Sequence, residues 1–419
     1  MLKAIPKDYK SVKNTILPQD ANKTDHSAGV LLMTTIPSRT SNGPLDPDGH
    51  SEWIVHGPTK AKVLNAPGYP QPVPKPKASN GIQPAYIVKS FPGMGLGVFA
   101  TRDIKMDELI FAERPLLVSP RSSIGVNIPN VEQYDFKTQM AILMMEWEKT
   151  LEVAVGRMVP ENRKAFMELA NSHKEDGSGP ILGIIRTNGF GMAEIFDGPE
   201  KRADRNNAYS GVIKIGSRIN HRYICVSFFL LSKQNNILNI NAFIFLFLFS
   251  CMPNVRILFS IPSFSFQCSA LVDIKAGEQL FYSYCETDQS VAKRQLELAP
   301  YGIVCSCPAC THATPETDKL RTEYQKIAMN YITKLTGRRV AESAIEPVIH
   351  FKDALIKEGF HFKSEYRGMV HLLQILYEGI GMMEKARPYK EEYKRYKLDF
   401  TSMDMNGIKV FSAAIPKYD

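Results

Sequence analysis

The sequence contains little cysteine, with 7 among 419 residues, and an odd number cannot all be paired in disulfides. Three of them, Cys305, Cys307 and Cys310, lie within six residues, a spacing that suits metal ligation better than a disulfide framework. The first eight residues lack an apolar core of signal-peptide length. These absences argue against a secreted, disulfide-rich protein, and we expect an intracellular one, in the nucleus, the cytoplasm or both.

Charge of one sign is not in large excess either. The 51 Lys and Arg residues stand against 43 Asp and Glu, which gives a net charge of +8. Spread over this length, the excess indicates a solvated basic surface and does not indicate direct nucleic-acid binding. The sequence also lacks an uninterrupted apolar run of about 20 residues, the length that a transmembrane helix needs, so we expect no membrane partner.

Composition and periodicity divide the chain into three parts. Residues 1–84 are rich in Pro, Lys, Ser, Asn and Asp, which predicts a disordered or extended lead-in. Residues 85–313 combine short β-prone runs with one helical stretch. We expect there an α+β domain of small sheets, interrupted by a helical insert at about 119–205. Residues 314–419 are expected to be all helical, with helix periodicity in 317–335, 344–358, 365–383 and 388–398.

A glycine-rich run, Gly93-Met-Gly-Leu-Gly97, has the spacing of a dinucleotide-binding fingerprint but not its context. That fingerprint needs a helix after the glycines, so that the helix N-terminus meets the pyrophosphate. A β-prone run from Val98 to Ile104 follows here instead. We therefore interpret the glycines as a bend at which the backbone approaches a ligand or another strand closely.

The C-x-C-x2-C cluster of Cys305, Cys307 and Cys310 supplies three thiolates, whereas a structural Zn²⁺ ion takes four tetrahedral ligands. The tight spacing makes a metal site a better interpretation than three free thiols in a loop. On chemistry alone the fourth ligand is open among Cys225, Cys251, Cys268 and Cys285.

Five segments, in order along the chain, resemble the motifs of the SET-domain protein lysine methyltransferases. Residues 95–104 and Glu113-Arg-Pro115 resemble the opening of that domain, and Ser217-Arg-Ile-Asn-His221 resembles the start of its N-H-S-C-x-P-N motif. Residues 277–284 resemble its close, and residues 305–310 resemble its post-SET cysteine cluster. The likeness is nearest to the SET and MYND proteins and their fungal relatives. The MYND zinc module itself is absent, because no cysteine occurs between positions 118 and 205.

The resemblance implies a SET-domain β-fold of small sheets, a post-SET zinc segment and an all-helical C-terminal region. It also implies S-adenosyl-L-methionine as the cofactor, bound by the glycine bend, the Asn-His pair, an asparagine late in the insert and an aromatic wall before the cysteines. The residues at these positions are Met94, Gly95, Leu96, Gly97, Asn188, Asn220, His221 and Tyr301.

Tyr284 stands where the family places its essential tyrosine. Methyl transfer to lysine is an in-line displacement, so the amine must arrive deprotonated and aligned. A narrow apolar channel lowers the pKa of the lysine by desolvation, and a tyrosine hydroxyl at its floor can orient the amine. The resemblance thus implies Tyr284 as the catalytic residue and a lysine of a protein, histone or non-histone, as the methyl acceptor. It also selects Cys251 as the fourth zinc ligand.

The most specific of these motifs is split by 28 residues, Arg222 to Phe249. Without them the chain reads Asn220-His-Ser-Cys-Met-Pro-Asn, which restores the family pattern. Of the 28 residues, 21 are Phe, Ile, Leu, Asn, Lys or Tyr, whose codons are largely A/T-rich, and none is Gly, Pro, Asp or Glu. An AG-C serine codon split by a GT…AG intron would give Arg222 at the upstream boundary and Ser250 at the downstream one. We interpret residues 222–249 as a retained intron or gene-prediction error, in preference to a transmembrane helix or a natural loop.

Two functions remain open from the sequence. The first is an S-adenosylmethionine-dependent protein-lysine methyltransferase, which Tyr284 and the complete cysteine set favour. The second is a catalytically inactive SET-domain protein that acts as a protein-binding scaffold through its helical C-terminal region. The split motif favours this second function for the chain that contains residues 222–249.

Overall fold

A computed structural model describes residues 5–11, 31–39, 44–76, 84–91, 95–121, 128, 130–198, 207–220, 251–338 and 340–397. The candidates Met94 and His221 and the segment 222–249 lie outside these ranges. The chain divides into two compact units. The first comprises Met1–Asn220, Val255–Leu280 and Pro300–Gly302, and the second comprises His221–Asn254, Phe281–Ala299 and Ile303–Asp419.

The described part of the first unit contains three small sheets. Their strands are β1 Leu31–Ile36, β2 Ser51–His56, β3 Tyr86–Phe91, β4 Gly95–Ala100, β5 Leu109–Glu113, β6 Leu117–Pro120, β7 Gly189–Phe196, β8 Ala208–Val212, β9 Val255–Ser260 and β10 Ser265–Ala270. The strand orders are β1-β2-β6-β8-β7, β5-β10-β9 and β3-β4. With the helices given below, this architecture confirms the predicted α+β class of small sheets.

The prediction of a disordered lead-in over residues 1–84 is wrong for the strands β1 and β2 and the helix α1, Gly57–Leu64. β1 pairs antiparallel with β2 along its full length, and β2 continues the sheet by parallel pairing with β6. Trp53, in β2, is fully buried. Proline and lysine are common in this region, but β1 and β2 are two short apolar runs within it. They are buried in a sheet with β6, a strand that follows much later in the chain. The burial of these apolar side chains outweighs the composition of the region.

The insert between β6 and β8 is helical only in part. Its helices are α2 Phe136–Arg157, α3 Pro160–Met167 and α4 Pro180–Asn188. Trp147, Leu151 and Phe166 from this group lie in one buried cluster with Met33 and Ile54 of the five-stranded sheet. Helix α4 ends where β7 begins, and β7 pairs antiparallel with β8. The predicted helical insert of about 119–205 is therefore wrong for residues 189–196, whose backbone groups bond to a neighbouring strand.

Two turns of the first unit repeat one pattern, Asp-Ile-Lys-x-x-Glu, at 103–108 and 273–278. Their isoleucines, Ile104 and Ile274, exchange two backbone hydrogen bonds of 2.8 Å. Asp103 accepts a hydrogen bond from the Lys275 ammonium at 2.8 Å and one from a backbone N–H of the other turn at 3.0 Å. Asp273 accepts the equivalent bonds from the Lys105 ammonium at 2.9 Å and from a backbone N–H at 2.9 Å. This reciprocal pairing holds β4 beside residues 277–280, where the Leu280 N–H donates to the Val98 carbonyl at 2.8 Å.

The described part of the second unit is helical beyond the cysteines. Its helices are α5 Val291–Leu298, α6 Pro308–Thr311, α7 Pro315–Leu335, α8 Glu346–Lys357, α9 Ser364–Gly379 and α10 Met383–Lys397. The predicted helical C-terminal region is confirmed as far as Lys397. A break expected at Pro388 does not occur, since α10 continues through it. The proline lies near the start of that helix and removes one backbone donor.

A buried arginine joins the segment before α5 to the C-terminal helices. Arg321 in α7 is fully buried, and its guanidinium donates to the Glu358 carboxylate at 2.6 Å and to the Glu358 carbonyl at 2.7 Å. A third bond, of 2.5 Å, reaches the carbonyl of Thr287. Loss of one partner of such a buried pair leaves an uncompensated charge, so the network fixes these elements to one another.

Candidate functional site

The glycine bend begins β4. Gly95 has a φ of +68°, a conformation that favours glycine, and both Gly95 and Leu96 are exposed. A Cβ added at Gly97 would lie 2.5 Å from the side-chain nitrogen of Gln279. The run is therefore exposed at its start, at Gly95 and Leu96. At its end, Gly97 has no side chain, which lets Gln279 lie close to the backbone.

Asn220 connects this bend to the start of the N-H-S-C-x-P-N motif. Its side-chain amide donates a hydrogen bond of 3.0 Å to the backbone carbonyl of Leu96. The two residues are 124 positions apart, so the bond joins two segments that only the fold brings together. Four of the predicted cofactor residues, Gly95, Leu96, Gly97 and Asn220, thus lie in one place in the first unit.

The turn before Asn220 rests on a carboxylate to which the sequence pattern assigned no role. Glu113, the last residue of β5, accepts backbone hydrogen bonds from Lys214 at 3.1 Å, Ile215 at 2.8 Å and Gly216 at 2.8 Å. The residue keeps part of its surface exposed, but its carboxylate lies among protein atoms. Desolvation raises the pKa of Glu113 from its ordinary 4.5 to about 7, against the lowering effect of the three N–H groups.

The other two described cofactor candidates of the first unit have different surroundings. Asn188, at the end of α4, is buried, and its side-chain nitrogen donates to the carbonyls of Ala170 at 2.7 Å and Ile184 at 2.8 Å. That nitrogen is occupied within the fold, so a ligand would have to use the side-chain oxygen. Tyr301 is half-buried, and desolvation raises the pKa of its hydroxyl, which therefore stays neutral.

In the second unit the structure brings four cysteines together. The sulfur atoms of Cys251, Cys305, Cys307 and Cys310 all lie within 4.8 Å of one another. The Cys251 sulfur is 3.7 Å from that of Cys305 and 3.5 Å from that of Cys310. Zinc–sulfur bonds of about 2.3 Å place the sulfurs of a tetrahedral site about 3.8 Å apart. The four residues named from the sequence therefore have the donor type and spacing that a zinc ion takes.

The surroundings of this cysteine cluster also fit a cation-bound thiolate set. The side chains of Cys285, Cys305, Cys307 and Cys310 around it raise the pKa of Cys251, so a thiolate there needs an offsetting positive charge. The buried Arg294 donates to the Cys310 sulfur at 3.5 Å, and Gln295 exchanges two hydrogen bonds with the backbone of Cys305. Such outer bonds orient the ligands of a metal site.

Tyr284 packs against the same buried group of side chains. It is half-buried and contacts, with Ile303, the apolar cluster that contains the cysteines and Leu298. Residues 279–284 form no regular strand, although the β-prone run there predicts one, because only isolated bridge residues occur. Burial raises the pKa of the neighbouring Tyr282, which therefore stays neutral as well.

Asn254 fixes the segment that leads to Tyr284, a role that the sequence pattern alone did not reveal. The Phe281 N–H donates to the Asn254 side-chain oxygen at 2.7 Å, and the Asn254 N–H donates to the Phe281 carbonyl at 3.1 Å. Asn254 is the last residue of the resumed Ser250-Cys-Met-Pro-Asn254 motif. Its place in that motif was a signal that could have pointed to it.

Comparison with known proteins finds a known domain within this chain. A family model described as "SET domain" matches residues 95–285. Over 227 residues the chain is 24% identical to "Histone-lysine N-methyltransferase set5" of Schizosaccharomyces pombe, a match that covers 54% of this chain and 50% of the length of that relative.

One solved structure with some likeness is described as "Crystal structure of the SET domain of LSMT bound to Lysine and AdoHcy". It is 12% identical, with a TM-score of 0.26, over 80% of this chain and 83% of that one. That score is too low to compare the two structures residue by residue. The domain model and the curated relative carry the comparison, and the range that the model matches contains the glycine bend from Gly95, Asn220 and Tyr284. Over residues 95–285 the chain is thus similar to the SET-domain protein lysine methyltransferases.

Proposed function

We propose that this chain is an S-adenosylmethionine-dependent protein-lysine N-methyltransferase whose acceptor is a lysine of a histone or of another protein. The observation that carries the proposal is the hydrogen bond from Asn220 to the Leu96 carbonyl. It joins the two segments to which the family resemblance assigns the cofactor, and both lie in the matched SET domain. The name of the curated relative supports the same chemistry.

When bound, S-adenosylmethionine supplies a methyl group on a cationic sulfonium. Gly95 and Leu96, the exposed residues at the start of the bend, would lie against the cofactor, and Asn220 holds the Leu96 carbonyl in place. We assign to the Tyr284 hydroxyl the orientation of the acceptor amine. The lysine amine must be neutral to attack the methyl group, so it would lose its proton to solvent before transfer.

We propose one structural Zn²⁺ ion for the cluster of Cys251, Cys305, Cys307 and Cys310. Four thiolates saturate a tetrahedral ion and leave no open position, so the metal would stabilise the fold and take no part in the chemistry. Because Tyr284 packs against this cluster, the ion would also limit the movement of the catalytic tyrosine.

A second function, that of a catalytically inactive scaffold, is favoured by one specific observation. Residues 222–249 separate His221 from Ser250 within the family's most specific motif. A displacement of about 1 Å in a site of this kind can lower a rate on the order of a hundredfold. Loop-closure entropy grows slowly with length, so the fold itself would survive such an insertion.

The experiment that separates the two functions compares the full chain with a chain in which His221 is joined to Ser250. Binding of S-adenosylhomocysteine and transfer of labelled methyl groups to core histones and to a mixed protein extract are measured on both. We expect the shortened chain to bind and to transfer, and the full chain to be less soluble and to bind weakly. Equal transfer by both forms, with the longer message predominating among transcripts, would show that residues 222–249 are a genuine loop.

A point substitution tests the observation on which the proposal stands. Asn220→Ala removes the bond to Leu96, and we expect the affinity for S-adenosylhomocysteine to fall about tenfold in the shortened chain. Asn162→Ala is the matched control, because it removes an amide bond of 3.2 Å to the carbonyl of His50, in another part of the same unit. If both variants bind as the unsubstituted chain does, the bend is not the cofactor site.

A further inference from the structure

Three consecutive backbone N–H groups converge on the carboxylate of Glu113. They belong to Lys214, Ile215 and Gly216, directly after the buried strand β8. Successive N–H groups that point at one anion fix the backbone of all the residues that carry them.

The turn that these bonds fix leads directly to Asn220. The Arg218 N–H donates to the Ile215 carbonyl and the Ile219 N–H to the Gly216 carbonyl, both at 2.9 Å, so the chain makes a tight single turn before Asn220. The turn has little room to shift, because a Cβ added at Gly216 would lie 2.1 Å from the Ile213 side chain. Movement at 214–216 would therefore be transmitted to Asn220.

Other charged groups near Glu113 do not take over this role. Arg114, its neighbour in the chain, pairs instead with Asp46 at 3.1 Å. The Lys214 ammonium lowers the pKa of Glu113, but that residue bonds to Glu113 through its backbone N–H, as one of the three donors. Tyr86 and Cys268, whose pKa values are raised by burial and further by the charge of Glu113, stay neutral.

We propose that Glu113 is a positioning residue for the cofactor: it holds the 214–216 turn and, through it, the Asn220 amide on the Leu96 carbonyl. This inference rests on the proposed function, since Asn220 matters to catalysis only if the bend binds S-adenosylmethionine. Glu113 itself need not touch the cofactor. Its loss would raise the KM for S-adenosylmethionine and leave kcat at saturating cofactor nearly unchanged.

The first test is amide hydrogen exchange at single-residue resolution on the full chain, with no substitution and no ligand. The amides of residues 214–216 should exchange about tenfold more slowly than that of Lys275, whose N–H is bonded to the exposed carboxylate of Glu278 at 2.9 Å. In Glu113→Gln this extra protection should disappear, because one acceptor oxygen becomes an NH₂ group facing N–H donors. Unprotected amides in the unsubstituted chain would overturn the proposal even if the variant failed to fold.

The second test measures the affinity for S-adenosylhomocysteine and the KM and kcat for methyl transfer. The matched control is Glu148→Gln, since Glu148 accepts backbone bonds from Ile181 and Leu182, both at 2.8 Å, at the start of α4. We expect about tenfold weaker binding in Glu113→Gln and unchanged binding in Glu148→Gln. The positioning role is overturned if Glu113→Gln binds S-adenosylhomocysteine as tightly as the unsubstituted chain does. It is also overturned if Glu148→Gln loses as much affinity as Glu113→Gln. A third outcome separates the two proposals. If the unsubstituted chain does not bind S-adenosylhomocysteine but the amides of residues 214–216 are still protected by Glu113, the proposed function is overturned. The structural role of Glu113 in fixing the turn would then still stand.

Discussion

The cysteine cluster and the glycine bend use opposite means to build a site. The cluster consists of four side chains of one chemical type, with sulfur atoms within 4.8 Å of one another. The bend begins with the exposed residues Gly95 and Leu96, and Asn220 bonds to the backbone carbonyl of Leu96 at 3.0 Å. A side-chain site depends on residue identity, whereas a backbone site depends on whatever holds the backbone in place.

This difference predicts how each site should fail. Loss of one thiolate leaves three of the four donors that a structural zinc ion takes, so we expect the cysteine cluster to fail completely. The bend should fail by degrees, because Gly97, Asn220 and Glu113 each contribute part of its position. Substitutions at the two sites should therefore differ in kind as well as in size.

The largest effect is expected from Cys307→Ala. Structural zinc binding in small domains is worth on the order of 10 kcal/mol, so the variant should lose its metal and the segment around residues 303–313 should unfold. Metal content by mass spectrometry and thermal unfolding would measure this. Cys285→Ala is the matched control: Cys285 is buried in the same group of side chains but lies outside the set of four. One zinc per chain in both variants would exclude the proposed ligand set.

The next largest effect should come from Tyr284→Phe in the chain that lacks residues 222–249. Methyl transfer should fall by about a hundredfold to ten-thousandfold, because an orienting hydroxyl is lost. Metal content and affinity for S-adenosylhomocysteine should stay the same, which would separate the chemistry from the cysteine cluster against which the ring packs. Single-turnover rates measure the effect. Full activity in Tyr284→Phe, with a loss in Tyr282→Phe, would move the catalytic role to Tyr282.

A smaller effect concerns the dependence of stability on pH. The pKa of Glu113 is about 7 in the folded chain against an ordinary 4.5, so its contribution is fully present below pH 4.5 and is lost as pH rises to about 7. The loss is at most about 3 kcal/mol, and less to the extent that solvent reaches the side chain. Urea unfolding of the full chain and of Glu113→Gln between pH 4.5 and 8 tests this. A difference in unfolding free energy that stays constant with pH would contradict the shift.

The smallest effect is expected from Gly97→Ala. The added Cβ would meet the end of the Gln279 side chain at 2.5 Å, a flexible group that can move aside at a cost of about 1 kcal/mol. Affinity for S-adenosylhomocysteine should fall a few-fold, and a second substitution, Gln279→Ala, should restore the stability. Gly156→Ala, in α2 with nothing within 4 Å of the added Cβ, should instead stabilise the chain. Calorimetry on the four proteins would measure these differences.

The sequence predicted much of the fold where a pattern repeats over many residues. The C-terminal helices follow apolar periodicity over 12 residues or more, and α7, α8 and α9 were found within a few positions. Short elements were harder to find. β1 and β2 have six residues each within a proline-rich region, so composition outweighed pattern there. The exchange of bonds between the two Asp-Ile-Lys-x-x-Glu turns joins segments 170 positions apart and has no local signature.

By itself the sequence supplied the residues of the proposed chemistry: three closely spaced cysteines and, through the family resemblance, a fourth cysteine, a glycine bend, an Asn-His pair and a tyrosine. These are properties of residue type and spacing, which the chain carries whether folded or not. Only the tertiary structure decided that Asn220 bonds to Leu96 and that Glu113 gathers three N–H groups. It also decided that the nitrogen of Asn188 is already bonded within the fold. The physical reason is that a hydrogen bond between distant segments depends on how each is packed, and packing is set by all the contacts of the fold together.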